Sequence, residues 1–131
     1  MFGYDISIIS FDKLISKYDR NVFLSIDIEG GEYKILEKII NNTDKITGLS
    51  MEFHFVNENL DIIETFIKKI DLNLIHIHIN NFGPIINGIP KSIELSFSSS
   101  NVNSFKKPLS LPNEFDKKNN PEGYDYKLSF K

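Results

Sequence analysis

Three observations in the sequence predict an α/β fold. Apolar alternation recurs at residues 22–28 and within ITGLSMEFHF, LNLIHIHI and SIELSF, the period expected of strands. Between the first three of these segments lie stretches whose apolar residues repeat at helical spacing. Polar side chains also gather where the strands end, the rim on which layered α/β proteins bind ligands.

The elements follow in order. Ile6 and Ile8 suggest a short strand, and SFDKLISKY a helical turn capped by Ser10 with Asp12 in its first turn. Val22, Leu24, Ile26 and Ile28 alternate with Phe23, Ser25 and Asp27, then give way to a helix with Ile35, Leu36, Ile39 and Ile40 on one face. NNTDK ends that helix. ITGLSMEFHF is a second strand, followed by Asn59 as a cap and a helix presenting Leu60, Ile63, Phe66, Ile67 and Ile70. LNLIHIHI is a third strand, NNFGPIINGIP a loop of turn-forming residues, and SIELSF a fourth strand. With no helix between them, the last two are expected to pair antiparallel. From residue 98 to 131 the chain turns polar and proline-punctuated, which predicts an irregular tail on a single domain spanning 1–131. Phe105, Leu109, Leu111, Phe115 and Tyr126 are its expected anchors.

A chain of 131 residues is long enough for one core and short for two domains. Its formal net charge of -3 gives no reason to expect a nucleic-acid partner or an anionic membrane. Cysteine is absent, which removes disulfides, thiolate metal sites and cysteine nucleophiles and suits a reducing cytoplasm, the expected location. MFGYDISIIS reads as neither a signal peptide nor a membrane span.

The chemistry is expected in three pairs of strand residues. Residues two apart on a strand project to the same side, so Asp27 with Glu29, Glu52 with His54, and His76 with His78 form pairs, joined by Asn80 and Asn81. If the strands are parallel, these pairs share one rim. Carboxylates there hold a hard cation, accept hydrogen bonds from a ligand or take a proton, and histidine adds general-base work near neutral pH. For His76 and His78 the plainer expectation is a half-buried role, hydrogen-bonded across to Ser96 or Asn81. Asp27 and Glu29 are favoured as functional, because adjacent carboxylates before Gly30-Gly31 are costly unless something answers their charge. The glycines suit a tight strand-to-helix turn or close approach of a ligand, and Glu32 suits a helix N-terminus. No GxxxxGK[ST] or GxGxxG phosphate loop occurs.

The segment FLSIDIEGGEYKILEKI resembles the hydrophobic-Asp-x-Glu-Gly-x-Glu stretch of FkbM-type methyltransferases. The likeness continues in order through GLSMEFHF, LIHIHINNFG, IPKSIELSF and LPNEFDKKNNPEGYDYKLSF. It implies S-adenosylmethionine-dependent methylation of a hydroxyl on a sugar, glycan or natural product. The implied fold is a partial Rossmann-like sheet, the C-terminal half, mostly parallel with a final antiparallel strand and flanked by helices. Asp27, Glu29 and His54 are then the expected catalytic residues, Asp27 and Gly30 the cofactor contacts, and Glu52, His76, His78 and Asn80 the substrate contacts, with no metal assigned. In that family the glycine-rich turn after the first strand and the acid after the second hold most of the cofactor, and here the chain begins after both. The resemblance thus implies a truncated form lacking the N-terminal cofactor-binding half, with self-association or pairing to that half as its partner expectation.

Two other readings rest on the same residues. Strand-end Asp, Glu and His also match metal-dependent hydrolases, in which a bound ion activates water. A non-catalytic interaction module would instead use an exposed sheet edge along VFLSIDI to pair with another chain.

Overall fold

The computed structural model describes residues 9–100 and 110–129. Helix α1 (Phe11–Ile15) starts at Ser10, whose side chain accepts from the Lys13 backbone N–H, and Asp12 lies in its first turn as expected. The proposed strand at Ile6 and Ile8 falls outside the described residues. Strand β1 (Val22–Ile26) leads through a turn and a short 3-10 segment (Glu32–Lys34) into α2 (Leu36–Ile40). Strand β2 (Ile46–His54) and the long helix α3 (Val56–Lys69) follow, then β3 (Asn73–Ile79).

Helix α3 begins earlier than its sequence pattern suggests. Phe55 precedes it in the left-handed region with φ 54°, and Asn59 is a kink inside the helix with φ -127° rather than its cap. The Asn59 side chain donates to the Phe55 carbonyl, which competes with regular helical bonding at that turn. Ile63, Phe66 and Ile70 are buried as patterned, whereas Leu60 lies on the exposed side.

The loop after β3 contains a hairpin, β4 (Ile85–Ile86) paired with β5 (Ile89–Pro90). Asn87 and Gly88 connect its strands with φ of 51° and 81°. Asn-Gly favours this two-residue turn, because both central positions need positive φ. Strand β6 (Ser92–Ser98) returns to the main sheet, and the short strands β7 (Ser110–Leu111) and β8 (Leu128–Ser129) close the C-terminal segment on itself.

The main sheet has the order β1-β2-β6-β3. β1 pairs parallel with β2, while β6 pairs antiparallel with both β2 and β3. The expectation of a mostly parallel sheet therefore fails: β6 inserts as a reversed strand between β2 and β3, making two of the three ladders antiparallel. The expected antiparallel pairing of the third and fourth main strands is present. β1, β2 and β3 still run in the same direction, so their C-terminal ends lie at one end of the sheet.

Alternation then divides the sheet into two faces. Leu49, Met51 and Phe53 of β2, Leu95 and Phe97 of β6, and Leu24 of β1 meet Leu36 and Ile39 of α2 and Val56, Ile63 and Phe66 of α3. Phe53, Phe66 and Phe97 form a chain of tilted and edge-on rings with centroids 5.9 and 5.8 Å apart, and Tyr33 extends it toward the strand ends at 6.0 Å from Phe53. The opposite face is polar. Register places Glu52, Glu94 and His78 in one row across β2, β6 and β3, and Ser25, Ser50, Ser96 and His76 in the next.

The C-terminal segment lies over the β6 and β3 half of this polar face. Leu111 is buried and the Tyr126 hydroxyl donates to the Gly83 carbonyl, both acting as anchors. Phe115 is 83% exposed and anchors nothing. Phe105 and Leu109 fall outside the described residues. Among the described residues no helix is long and apolar enough to cross a membrane.

Candidate functional site

The strand ends of β1 and β2 form an acidic cleft of about 410 Å³, lined among others by Asp27, Glu29, Glu52, His54, Asn80 and Lys91. Parallel pairing explains the meeting of the first four. Ile26 is in register with Met51, so the next residues, Asp27 and Glu52, emerge side by side on the polar face with His54 one step beyond. His54 Nε2 stands 3.8 Å from Asp27 Oδ1, 3.5 Å from Glu29 Oε2 and 3.6 Å from Glu52 Oε1.

Glu32 governs that arrangement from below. Its side chain is 0% exposed. One oxygen accepts from the Gly30 backbone N–H at 2.8 Å, and the other accepts from the His54 backbone N–H at 2.6 Å. That second oxygen also faces His54 Nδ1 at 3.2 Å. A carboxylate already accepting two N–H bonds is answered best by a third donor, so the network assigns the proton to Nδ1. Nε2 faces the cleft, where it makes no hydrogen bond among the described residues. The Tyr33 hydroxyl donates to the His54 carbonyl, fixing the backbone of the same residue. Burial, reinforced by the charges of Glu32 and Glu58, pushes the Tyr33 phenol up to about 12, so it remains a donor.

The β1 turn shows strain at the site. Glu29 adopts a left-handed φ of 50° and Gly30 one of 97°. A residue with a Cβ pays for that region, and such outliers concentrate where side chains must be aimed. At Gly30 a Cβ would also lie 2.9 Å from the Phe55 ring. Its N–H is taken by Glu32 and a Cβ there would meet Phe55, so Gly30 shapes the turn while staying half-buried.

Glu52 is the electrostatically stressed acid. Burial raises its carboxyl above the usual range and the Asp27 and Glu94 charges add to this, while the hydrogen bond from Asn80 and the nearby His54 oppose it. Asn80 Nδ2 donates to Glu52 Oε1 at 2.6 Å, and Asn80 Oδ1 accepts from the Phe82 backbone N–H. Asn80 thereby joins the cleft from β3.

His76 and His78 are placed elsewhere on the polar face. His76 Nε2 lies 2.7 Å from Asp116 Oδ1. His78 is buried between Glu94 at 3.6 Å and Asp125 at 3.7 Å. Asn81 is also buried, donating to the Asn120 and Tyr124 carbonyls and accepting from the Asn120 N–H. His76 and Asn81 hold the C-terminal segment by hydrogen bonds, whereas His78 Nε2 and Asp125 Oδ1 face each other without one, and neither expected partner of the histidines, Ser96 or Asn81, is used. The polar rows are thus divided: the β6 and β3 half is covered, and the β1 and β2 half opens as the cleft.

Sequence reasoning passed over Glu32 as a helix N-terminal acid and did not single out Lys91 or Tyr33. A carboxylate three residues after another, across two glycines, was the available signal for Glu32. Lys91, whose ammonium sits 5.6 Å over the Phe55 ring, follows the hairpin and has no periodic pattern to mark it. Searches among protein-family models, curated proteins and solved structures find no match to this chain.

Proposed function

We propose that this cleft is the acceptor side of an S-adenosylmethionine-dependent methyltransferase acting on a hydroxyl of a sugar, glycan or natural product. The observation that carries the proposal is His54, whose Nδ1 is held by buried Glu32 and whose Nε2 opens among Asp27, Glu29 and Glu52. An imidazole so held is built to accept a proton from a hydroxyl, and Glu32 steadies the imidazolium that results. Asp27 and Glu29 orient the acceptor by taking hydrogen bonds from neighbouring hydroxyls, and Asn80 keeps Glu52 fixed at the cleft floor. The reversed β6 beside same-direction strands is in keeping with the final antiparallel strand that the resemblance implies.

The cofactor would supply the methyl group on a sulfonium. Its positive charges suit the exposed carboxylates of Asp27 and Glu29, which would hold that end beside Gly30, whose N–H is already given to Glu32. Titrating S-adenosylmethionine while following Asp27 and His54 by NMR tests this. Saturable shifts are expected at those residues, with affinity falling about tenfold in Asp27→Asn, the loss of roughly one charge-assisted contact. Absence of saturable binding at millimolar cofactor, or equal binding by the variant, removes the assignment.

A further inference from the structure

We propose that Asp27, Glu52 and His54 Nε2 form a divalent-cation site of the open, three-ligand type. Each offers a ligand atom, and these atoms all lie within 4.8 Å of one another. Donors about 2.1 Å from a tetrahedral ion stand roughly 3.4 Å apart. The observed separations from His54 Nε2 are 3.6 Å to Glu52 and 3.8 Å to Asp27, a few tenths of an ångström above that spacing, and the two carboxylates lie within 4.8 Å of each other.

The imidazole is the independent part of the argument. Its side chain is 12% exposed, and its one side-chain hydrogen-bond partner among the described residues, Glu32, sits on the Nδ1 side. Metal-binding histidines commonly present one nitrogen to the ion while the other is held by a carboxylate or carbonyl, which sets tautomer and ring orientation. Glu32 is already in that second position. Nε2 is consequently left pointing at carboxylate oxygens that are too far for good hydrogen bonds and correctly disposed for a shared cation. Glu52 comes from the half-buried floor and Asp27 from the exposed rim, so the remaining coordination positions face the cleft. One nitrogen and two carboxylate ligands suit Zn²⁺ or Mn²⁺, and are harder than a thiolate site and softer than an all-oxygen one. An ion there would acidify an oxygen bound in the cleft, whether hydroxyl or water.

This site shares the cleft with the methyltransferase proposal and does not rest on it, because metal is titrated without cofactor. With an ion on Nε2, loss of the hydroxyl proton would come from the ion's acidification of the bound oxygen in place of His54 acting as base. Protein stripped with chelator is titrated with Mn²⁺, followed by loss of the free-ion EPR signal, and with Zn²⁺ by calorimetry. One equivalent of either ion is expected to bind, with affinity falling at least tenfold in Asp27→Asn and in His54→Gln. Asp27 is exposed, so its variant retains the fold and keeps the test valid if His54→Gln does not. Glu32→Gln, as a positioning change, should weaken binding about 10–100-fold while leaving the stoichiometry at one. No bound equivalent, or binding that Asp27→Asn leaves unchanged, overturns the site.

Discussion

Glu32 and Glu52 are two acids of one cleft treated oppositely by their surroundings. Glu32 is fully buried yet supplied with backbone donors, whereas Glu52 is half-buried and pressed by Asp27 and Glu94. Because the folded state raises the Glu52 pKa above its ordinary 4.5, its linkage contribution is fully present below that value and lost as pH rises through the folded pKa. In chelator-containing buffer, Glu52→Gln should therefore gain melting temperature relative to the parent as pH climbs from 4.5 toward neutrality. A parent that gains on the variant over that range contradicts the stress argument. Glu29 offers a second test. Its left-handed φ costs roughly 1 kcal/mol for a residue with a Cβ, so Glu29→Gly should stabilise the protein in denaturant titration while removing one carboxylate from the cleft.

At the scale of elements, the site depends on how β1 and β2 end. Parallel register puts Asp27 beside Glu52, and the Gly30 turn returns the chain so that Glu32 lies beneath His54. Gly30→Ala places a Cβ in a strained φ and against Phe55, and should cost about 1–3 kcal/mol in urea unfolding. The same change should shift the His54 ring signals, since the Gly30 N–H is one of the bonds aiming Glu32. Tyr33 ties this turn to the aromatic chain of the core, so Tyr33→Phe should cost about 1 kcal/mol through loss of its bond to the His54 carbonyl.

Over the whole molecule, the polar face is the organising feature. Helices cover only the apolar face, and the C-terminal segment covers part of the other through His76 with Asp116, His78 with Asp125, and Asn81. Asp116→Ala should accordingly raise hydrogen exchange across residues 110–129 while leaving exchange in β2 and β6 near the parent's. Uniform acceleration throughout the sheet would show that the segment is part of one cooperative unit. Among the described residues β1 is an edge strand, as the exposed-edge expectation requires.

Alternation and helical spacing made the main strands, α3 and the core face legible, because a two-residue or 3.6-residue period follows directly from which side of an element meets apolar neighbours. The same logic identified Glu52 and His54 as strand-end residues, while β1 stops at Ile26 and leaves Asp27 and Glu29 in the turn beyond it. It did not place β6 between β2 and β3, because local periodicity carries no information about which strand lies beside which. It also left His76 and His78 with the wrong partners, since Asp116 and Asp125 lie 40 and 47 residues along the chain from them. Only tertiary packing decided that Glu32 would be buried under His54: a carboxylate enters a protein interior when distant backbone donors converge on it, and that convergence is a property of the folded chain.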